Sequence, residues 1–318
     1  QTKQKKNSME LKAFVGTWNL SGRDPPKDLG YFIPVGLYDI YMIGTQECGA
    51  SIEESILTNY TTRWEAQLMG IFSEDYVRVD STYMVALHGI VFIRKALAQH
   101  LSQVEKSYVP TGFVNLVGNK GGIGLSFTLG KSSILFITSH FHAFVDKVEL
   151  RNADFHSIEQ RLPMRKSSNG PKACSDRFDF TFWAGDLNYR CLCNRAIADT
   201  LLRDNNIEPL LLNEQLKQQQ LEKKVFDGYK EAPLTFPPTY KFDVGTNSYD
   251  SSKKKRVPSW TDRILWKDKK GVVECMQYSN TASIRTSDHK PVSAIFLMEI
   301  EIKNEEEKQA SKGDNNVK

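Results

Sequence analysis

Apolar runs that stop abruptly at polar side chains constrain the fold of this sequence more than any other feature. One run begins at Phe182 and ends at Asp186, and Asn188 follows two residues later. Side chains two residues apart on an extended strand point to the same face, so this carboxylate and this amide share a face. Earlier apolar runs end in the same way, at Asn19, at Glu47 and at His140.

Two later runs carry their polar residues at the start instead of the end. Asp262 precedes the run from Ile264, and the pair Asp288-His289 precedes a run that reaches Ile302. Strands stacked in sheets can bring all of these ends to one rim. Carboxylates, amides and imidazoles at one rim suit a metal-assisted reaction at phosphorus, because such a reaction needs oxygen ligands and charge-stabilising donors.

Strands outnumber long helices in the hydrophobic pattern, and both kinds of element are spread along the chain. β-Branched and aromatic runs predict strands over residues 76–79, 89–93, 122–129 and 133–138. Apolar spacing predicts helices over residues 148–162, 194–205 and 213–224. The pattern favours an α/β protein of the α+β type over a doubly wound parallel sheet. We expect two mixed β-sheets packed face to face as a sandwich and flanked by helices.

Motifs spread over most of the 318 residues indicate one catalytic unit rather than two domains. We therefore expect a single catalytic domain over residues 11–302. Residues 1–10 are expected to be a flexible segment, and residues 303–318, which are polar, charged and aperiodic, a disordered tail. The chain begins at Gln1 rather than at Met, so we expect a fragment that lacks targeting regions.

Composition argues against several classes of function. A net charge of +4 is too small for bulk electrostatics to indicate nucleic-acid binding, although the run Lys253-Lys254-Lys255-Arg256 is locally basic. The five cysteines are odd in number and lack zinc-type spacing, which favours reduced thiols and a cytosolic setting. No apolar stretch approaches the roughly 20 residues that span a bilayer, so we expect a soluble protein.

Short strings around the polar residues occur in a fixed order along the chain. They are Gly16-Thr17-Trp18-Asn19, Gly44-Thr45-Gln46-Glu47, Gly118-Asn119-Lys120-Gly121-Gly122, Ser139-His140-Phe141, Gly185-Asp186-Leu187-Asn188-Tyr189-Arg190, Phe236-Pro237-Pro238-Thr239-Tyr240-Lys241-Phe242-Asp243, Pro258-Ser259-Trp260-Thr261-Asp262-Arg263-Ile264-Leu265 and Ser287-Asp288-His289-Lys290-Pro291-Val292. Over about residues 11–300 they closely resemble the strings of the inositol polyphosphate 5-phosphatases, and the two longest are highly specific.

This family belongs to the endonuclease, exonuclease and phosphatase superfamily. The resemblance therefore implies a deoxyribonuclease-I-like fold. It also implies Mg²⁺-dependent removal of the 5-phosphate from inositol phospholipids, namely phosphatidylinositol 4,5-bisphosphate and 3,4,5-trisphosphate. Soluble inositol polyphosphates are expected as further substrates.

The resemblance also implies roles for the polar strand ends. Glu47 is the expected ligand of Mg²⁺, because a carboxylate is a hard oxygen donor, and Asn19 is expected to support the metal or its waters. Ser21 stands where nuclease branches commonly have an aspartate, which favours a single-metal site. Asp186 is expected to act as the base or to orient the attacking water, with Asn188 holding water or phosphate in line.

Two histidines and a set of cations complete the predicted site. His140 and His289 are expected to donate to phosphate, and Asp262 or Asp288 to hold His289 in its protonated form. The predicted substrate-binding residues are Lys120, Arg190, Tyr240, Lys241, Lys254, Arg256 and Arg263. The resemblance assigns contacts with the 4-phosphate to Tyr240, Lys241, Lys254 and Arg256. Without it, the basic run would indicate a solvated loop.

Two other functions stay open at this point. A nuclease of the same superfamily shares the catalytic core, but Ser21 and the cations suited to an inositol ring disfavour it. A phosphoinositide-binding module without activity is disfavoured because every expected catalytic residue is present.

The expected partner is a phosphoinositide lipid at a membrane surface, together with soluble inositol phosphates and without nucleic acid. Such a protein would be cytoplasmic and peripherally associated with membranes. The apolar segment at residues 113–117 is either a lipid-facing lip or a core strand. The oligomeric state stays open.

Overall fold

Two β-sheets make up most of the structure, a computed structural model that describes residues 8–48, 60–72, 74–112, 120–165 and 172–302. The strands are β1 (Ser8–Asn19), β2 (Ile40–Gln46), β3 (Tyr76–Met84), β4 (Leu87–Arg94), β5 (Leu101–Pro110), β6 (Gly121–Leu129), β7 (Ser132–His140), β8 (Phe180–Asp186), β9 (Asp262–Asp268), β10 (Val273–Asn280) and β11 (Val292–Glu301). The helices are α1 (Tyr60–Ile71), α2 (Val148–Arg161), α3 (Arg195–Arg203), α4 (Glu208–Leu212) and α5 (Gln215–Leu221), with short 3₁₀ helices at Lys95–His100 and Cys174–Arg177.

Each sheet contains a parallel pair of strands among antiparallel neighbours. The six-stranded sheet has the order β10-β11-β1-β2-β4-β3, and the five-stranded sheet has the order β5-β6-β7-β8-β9. The parallel pairs are β1 with β2 and β7 with β8. The predicted fold class, two mixed sheets in a sandwich with helices outside, is therefore confirmed.

Alternating side chains along the strands create one apolar layer between the sheets and one outside each sheet. Val15 of β1 packs between the sheets in the same cluster as Phe136 of β7. Its neighbour Phe14 points to the other face and belongs to the outer cluster that contains Trp64 of α1. Side chains of α2 cover the outer face of the second sheet in the same way. Successive side chains of a strand point to opposite faces, and both faces of each sheet are covered. The strand sequences are strongly apolar for this reason.

Strand direction brings the polar strand ends to one rim. His140, Asp186 and Asp262 lie side by side at the ends of β7 and β8 and at the start of β9. In the other sheet, β1 and β2 end next to each other, and the antiparallel β11 begins there. Gln46 joins the two sheets at this rim, because its Nε2 donates to Thr138 Oγ1 at 3.2 Å. The prediction that the polar ends meet is confirmed.

The structure confirms two of the predicted helices and corrects the third. α2 and α3 lie within the helices predicted at residues 148–162 and 194–205 and are one and three residues shorter. The helix predicted at residues 213–224 extends only from Gln215 to Leu221, because Glu214 is extended and caps it by accepting hydrogen bonds from two backbone N–H groups. None of the helices in the described residues has the length and apolar content needed to cross a membrane.

The ends of the chain agree only in part with the predicted domain limits. β1 begins at Ser8, inside the segment predicted to be flexible, because it pairs with the end of β11. Residues 1–7, 113–119 and 303–318 lie outside the described residues. The flexible start, the lip at residues 113–117 and the disordered tail therefore stay predictions.

Candidate active site

Asp186 is the carboxylate at the centre of the rim. Its Oδ2 accepts a hydrogen bond from Asn19 Nδ2 at 3.0 Å and lies 3.3 Å from His140 Nε2. The preceding residue, Gly185, has φ +156°, and a Cβ there would lie 2.1 Å from the Ser139 carbonyl oxygen. Only glycine allows this approach of β8 to β7, which sets the distance between Asp186 and His140.

The surroundings of Asp186 keep its carboxyl ionised. Burial alone would raise its pKa, but the hydrogen bond with His140 and the positive charge of His289 lower the pKa well below its ordinary value. Lys120 contributes to the same effect, and its ammonium contacts His140 Nε2. Such a carboxylate accepts hydrogen bonds but has little tendency to take up a proton near neutral pH.

His289 is held as an imidazolium by Asp262. Its Nδ1 lies 2.9 Å from Asp262 Oδ2, which also accepts hydrogen bonds from the hydroxyls of Thr239 and Thr261 at 2.7 and 2.9 Å. Burial alone would lower the pKa of His289, but the negative charge of Asp262 outweighs it, and the pKa is raised to about 10. Nε2 of the same ring lies 3.9 Å from Asp186 Oδ2 and faces the centre of the site.

The carboxylate of Glu47 and the amide of Asn19 lie beside Asp186. Asn19 Nδ2 lies 3.2 Å from Glu47 Oε1 as well as 3.0 Å from Asp186 Oδ2, so this amide bridges two carboxylates. Asn19 Oδ1 accepts a hydrogen bond from the Ser21 backbone N–H at 2.8 Å. The Glu47 side chain is 38 % exposed, unlike the buried Asp186. An accessible carboxylate next to a buried anion fits a hard divalent cation.

A second group of potential metal ligands lies close by. One donor atom from each of Asp186, Asp262 and His289 falls within 4.8 Å of the others. However, the Nδ1 of His289 is already engaged with Asp262. This geometry favours a histidine–aspartate pair over a metal centre, and Glu47 with Asn19 remains the better candidate.

Asn188 fixes its neighbours rather than projecting freely into the site. It has φ +57°, and its backbone N–H donates to Asp186 Oδ1 at 3.1 Å. Its side-chain Nδ2 donates to the Phe141 carbonyl at 3.1 Å, and its Oδ1 accepts from the Arg190 guanidinium. Both ends of the amide are therefore occupied, which does not fit the predicted contact with water or phosphate. Asparagine adopts positive φ more readily than most residues, but its presence alone does not predict this conformation.

Three of the six predicted cations, Arg190, Lys254 and Arg256, line a cavity that also contains Tyr240, which packs against His289. The Tyr240 ring lies 4.5 Å from the His289 ring, and the Arg190 guanidinium lies 4.4 Å from the Tyr240 ring centre. These two residues line a cavity of about 550 Å³ together with Lys254 and Arg256. Arg256 Nη1 is held 3.3 Å from Asp250 Oδ2.

Lys241 lies next to Tyr240 in the chain and forms an ion pair with Asp288. Asp288 Oδ1 is buried with no hydrogen-bond partner among the described residues. The pair therefore places a cation near Tyr240 and an incompletely bonded carboxylate near His289.

Arg263 does not belong to the site, although it was predicted to bind substrate. Its guanidinium is 1 % exposed and forms ion pairs with Glu214, at 3.1 Å, and with Glu231. Because successive residues of a strand point to opposite faces, Arg263 points away from the face that carries Asp262. The alternation rule could have given this result from the sequence.

Sequence reasoning missed several residues that hold the site in place. Thr239 and Thr261 donate hydrogen bonds to Asp262. Both lie inside the strings that resemble the family, so the sequence could have indicated them. Arg195 donates to the carbonyl oxygens of Asp250 and Arg256 at 2.8 and 2.9 Å. It thereby fixes the loop that carries Lys254, and nothing in the sequence indicates this contact.

The fold and the rim define a class of protein, and the comparisons with known proteins agree with it. The endonuclease/exonuclease/phosphatase family 2 matches residues 16–295, and the chain belongs to this family. Within it, the resemblance to inositol polyphosphate 5-phosphatases is confirmed by the named relatives.

Two curated relatives illustrate the similarity. The rat phosphatidylinositol polyphosphate 5-phosphatase type IV is 36 % identical over 303 residues, which cover 90 % of this chain and 45 % of that protein. The mouse type II inositol 1,4,5-trisphosphate 5-phosphatase is 33 % identical over 303 residues, which cover 92 % of this chain and 30 % of that protein. The chain thus spans less than half the length of these curated relatives.

Two solved structures share the fold. The inositol polyphosphate 5-phosphatase domain of a synaptojanin, in complex with inositol (1,4)-bisphosphate and calcium, matches with a TM-score of 0.81 and 29 % identity, over 96 % of this chain and 89 % of that one. A Cimex nitrophorin in its ferrous NO complex matches with a TM-score of 0.76 and 26 % identity, over 92 % of this chain and 99 % of that one.

Proposed function

We propose that this domain removes the 5-phosphate from phosphatidylinositol 4,5-bisphosphate and 3,4,5-trisphosphate, and from soluble inositol polyphosphates, with Mg²⁺ as cofactor. The observation that carries the proposal is the pairing of an ionised Asp186 with a protonated His289 beside a cavity lined by cations. The names of the relatives, which specify 5-phosphatases, support the same activity.

Asp186 and His289 have different roles at the scissile phosphate. Because the pKa of Asp186 is strongly lowered, this carboxylate is suited to orienting the attacking water and poorly suited to removing its proton. The imidazolium of His289 donates to a phosphoryl oxygen, where negative charge must be stabilised during transfer. Asn188 supports both roles indirectly by fixing the rotamer of Asp186 through its backbone N–H.

Glu47 is the residue that would hold the cation, and Asn19, whose Nδ2 donates to both carboxylates, would keep Glu47 and Asp186 in position. A divalent cation supplies charge neutralisation of the phosphoryl oxygens, which reduces the repulsion of an attacking water. A carboxylate oxygen suits Mg²⁺, which binds few protein ligands and retains several waters. The amide of Asn19 donates hydrogen bonds to both Glu47 and Asp186. It therefore keeps the two carboxylates close without adding a negative charge.

The cavity lined by Arg190, Tyr240, Lys254 and Arg256 is the proposed site of the 4-phosphate. Replacing Lys254 and Arg256 by alanine removes charge-assisted hydrogen bonds worth about 1.5–3 kcal/mol each. We expect a correspondingly large fall in kcat/KM for soluble substrates that carry the 4-phosphate and a small one for a substrate with the 5-phosphate alone. An equal fall on both substrates would contradict the assignment.

A lipid substrate would be reached at a surface that combines apolar and basic side chains. Phe144 is 66 % exposed and Val145 is 51 % exposed, and both line the same cavity as Lys254 and Lys255. The guanidinium of buried Arg151 donates to the Phe144 carbonyl and holds this segment in place. Apolar side chains next to lysines suit an anionic membrane surface, which supports peripheral association on the cytoplasmic side.

The activity is tested by phosphate release from soluble inositol 1,4,5-trisphosphate and from a short-chain phosphatidylinositol 4,5-bisphosphate, with Mg²⁺ and with chelator. We expect release from both substrates that requires Mg²⁺ and none from abasic DNA. Cleavage of the DNA would favour the nuclease alternative. Binding of the lipid without release under all conditions would favour a silent module.

A further inference from the structure

A second cavity next to the site has a basic lining that the proposed function leaves unused. It has a volume of about 630 Å³ and is lined by Gly22, Arg23, Asp24, Val244, Gly245, Arg285 and Thr286. It shares no lining residue with the cavity assigned to the 4-phosphate. We call it the Arg23–Arg285 cavity.

Each segment of the Arg23–Arg285 cavity continues directly from a residue of the site. Arg23 follows Asn19 by four positions, and the intervening Gly22 donates its N–H to the Glu47 carbonyl at 3.0 Å. Arg285 precedes Asp288 by three positions. A backbone hydrogen bond of 2.8 Å from Gly245 N–H to the Arg285 carbonyl joins the segment that follows Lys241 to the segment that precedes Asp288. The cavity therefore borders the site.

The charges around this cavity favour an anion. Arg23 and Arg285 are both exposed. Behind them, the buried Lys290 ammonium donates to Asn247 Oδ1 and to the Ile284 carbonyl, both at 2.8 Å, and forms no ion pair with any carboxylate in the described part of the chain. Burial, followed by the positive charge of Arg285, lowers the pKa of Lys290 to about 8.

The lining also offers a neutral donor. The buried hydroxyl of Thr286 has no hydrogen-bond partner among the described residues. Asp24 is the acidic residue of the lining, against two arginines. Guanidinium groups recognise phosphate oxygens in bidentate fashion, so two arginines and a hydroxyl form a donor set suited to a phosphate monoester.

We propose that the Arg23–Arg285 cavity binds a 3- or 6-phosphate of the inositol ring, in addition to the 4- and 5-phosphates that bind elsewhere in the site. This inference rests on the proposed function, because it places the inositol ring in the same site. It makes the cavity the element that distinguishes more highly phosphorylated substrates from the 1,4,5-trisphosphate. The same donors would also fit free orthophosphate, and the experiment distinguishes binding of orthophosphate from binding of a ring phosphate.

The test compares the Arg23→Ala/Arg285→Ala double variant with wild type on soluble substrates. The substrates are inositol 1,4,5-trisphosphate and two tetrakisphosphates that carry an additional 3- or 6-phosphate. For at least one tetrakisphosphate, we expect kcat/KM to fall roughly tenfold or more, because a hydrogen bond to a charged group contributes about a factor of ten or more. The value for the trisphosphate should stay within about twofold, since it carries neither a 3- nor a 6-phosphate.

The matched control is Arg161→Ala/Arg203→Ala, which removes the same charge from exposed positions on α2 and α3. It should leave the ratio of kcat/KM between the substrates unchanged. Equal losses of kcat/KM in both double variants would reveal a general charge effect and overturn the proposal. An equal loss on all three substrates in the Arg23/Arg285 variant would overturn it as well.

Two further measurements separate this inference from the proposed function. Calorimetric titration of the preferred tetrakisphosphate should show weaker binding to the double variant than to wild type even if neither protein turns it over. A wild-type protein that binds the compound without hydrolysis would refute the activity but not the cavity. If the variant weakens only inhibition by orthophosphate and leaves tetrakisphosphate binding intact, the ring-phosphate assignment is wrong.

Discussion

Replacing Asp262 by asparagine should release His289 from its protonated state. The pKa of His289 is raised from 6.5 to about 10, with Asp262 as the strongest raising influence against the opposing effect of burial. This difference corresponds to about 5 kcal/mol in favour of the imidazolium. Loss of a neighbouring charge changes a pKa by roughly 1–3 units, so we expect the pKa to fall to about 7–9 in Asp262→Asn.

The direction of the pH effect follows from this shift. Because the folded pKa lies above the unfolded value, the His289–Asp262 pair contributes stability that is complete below about pH 6.5 and is lost as the pH rises through about 10. In Asp262→Asn, both the stability contribution and the imidazolium should be lost at lower pH. Phosphate release should therefore decline on the alkaline side earlier than in wild type, and the highest residual activity should move toward acid.

Two measurements check this expectation. A profile of kcat/KM against pH on soluble inositol 1,4,5-trisphosphate should show an earlier alkaline decline in the variant, and an NMR titration of the His289 ring should show the lower pKa directly. Asp204→Asn, at the exposed end of α3, is the matched control and should change neither. If His289 titrates at the same pH in wild type and in Asp262→Asn, the assignment of its charge to Asp262 is wrong.

The other predictions concern residues with different tasks. Asp186→Asn should lower kcat by roughly 100-fold or more with a modest change in KM, as measured by steady-state kinetics, and a collapse of binding with intact turnover would refute its role. Glu47→Gln should raise the Mg²⁺ concentration needed for half-maximal rate, and near-normal activity at sub-millimolar Mg²⁺ would remove it from the metal site. Arg263→Met leaves the buried Glu214 and the partly buried Glu231 without their cationic partner and should lower the free energy of unfolding in urea by about 3–5 kcal/mol, whereas Arg203→Met at the surface should have little effect.

Strand-end residues were the part of the site that the sequence could predict. Asp186 and His289 lie at points where an apolar pattern meets a polar residue, and strand direction then brings such points together. Contacts between distant segments carried no such signal. Arg195 holds the loop around Lys254 through backbone carbonyls, which any residue type could provide. Asn188 turns its amide away from the predicted position because its backbone is left-handed, and no residue pattern requires that conformation.

The fold alone does not decide the chemistry, because a nitrophorin that holds ferrous iron and NO shares it with phosphatase domains. Hydrolysis therefore depends on the residues of the rim, and on their charge states more than on their identity. A carboxylate with an ordinary pKa at Asp186, or a neutral imidazole at His289, would preserve the geometry and weaken the reaction. Asp262 acts on the site through His289, whose charge it sets. For this reason the Asp262→Asn variant separates the contribution of the charge from that of the fold more cleanly than removal of either catalytic group.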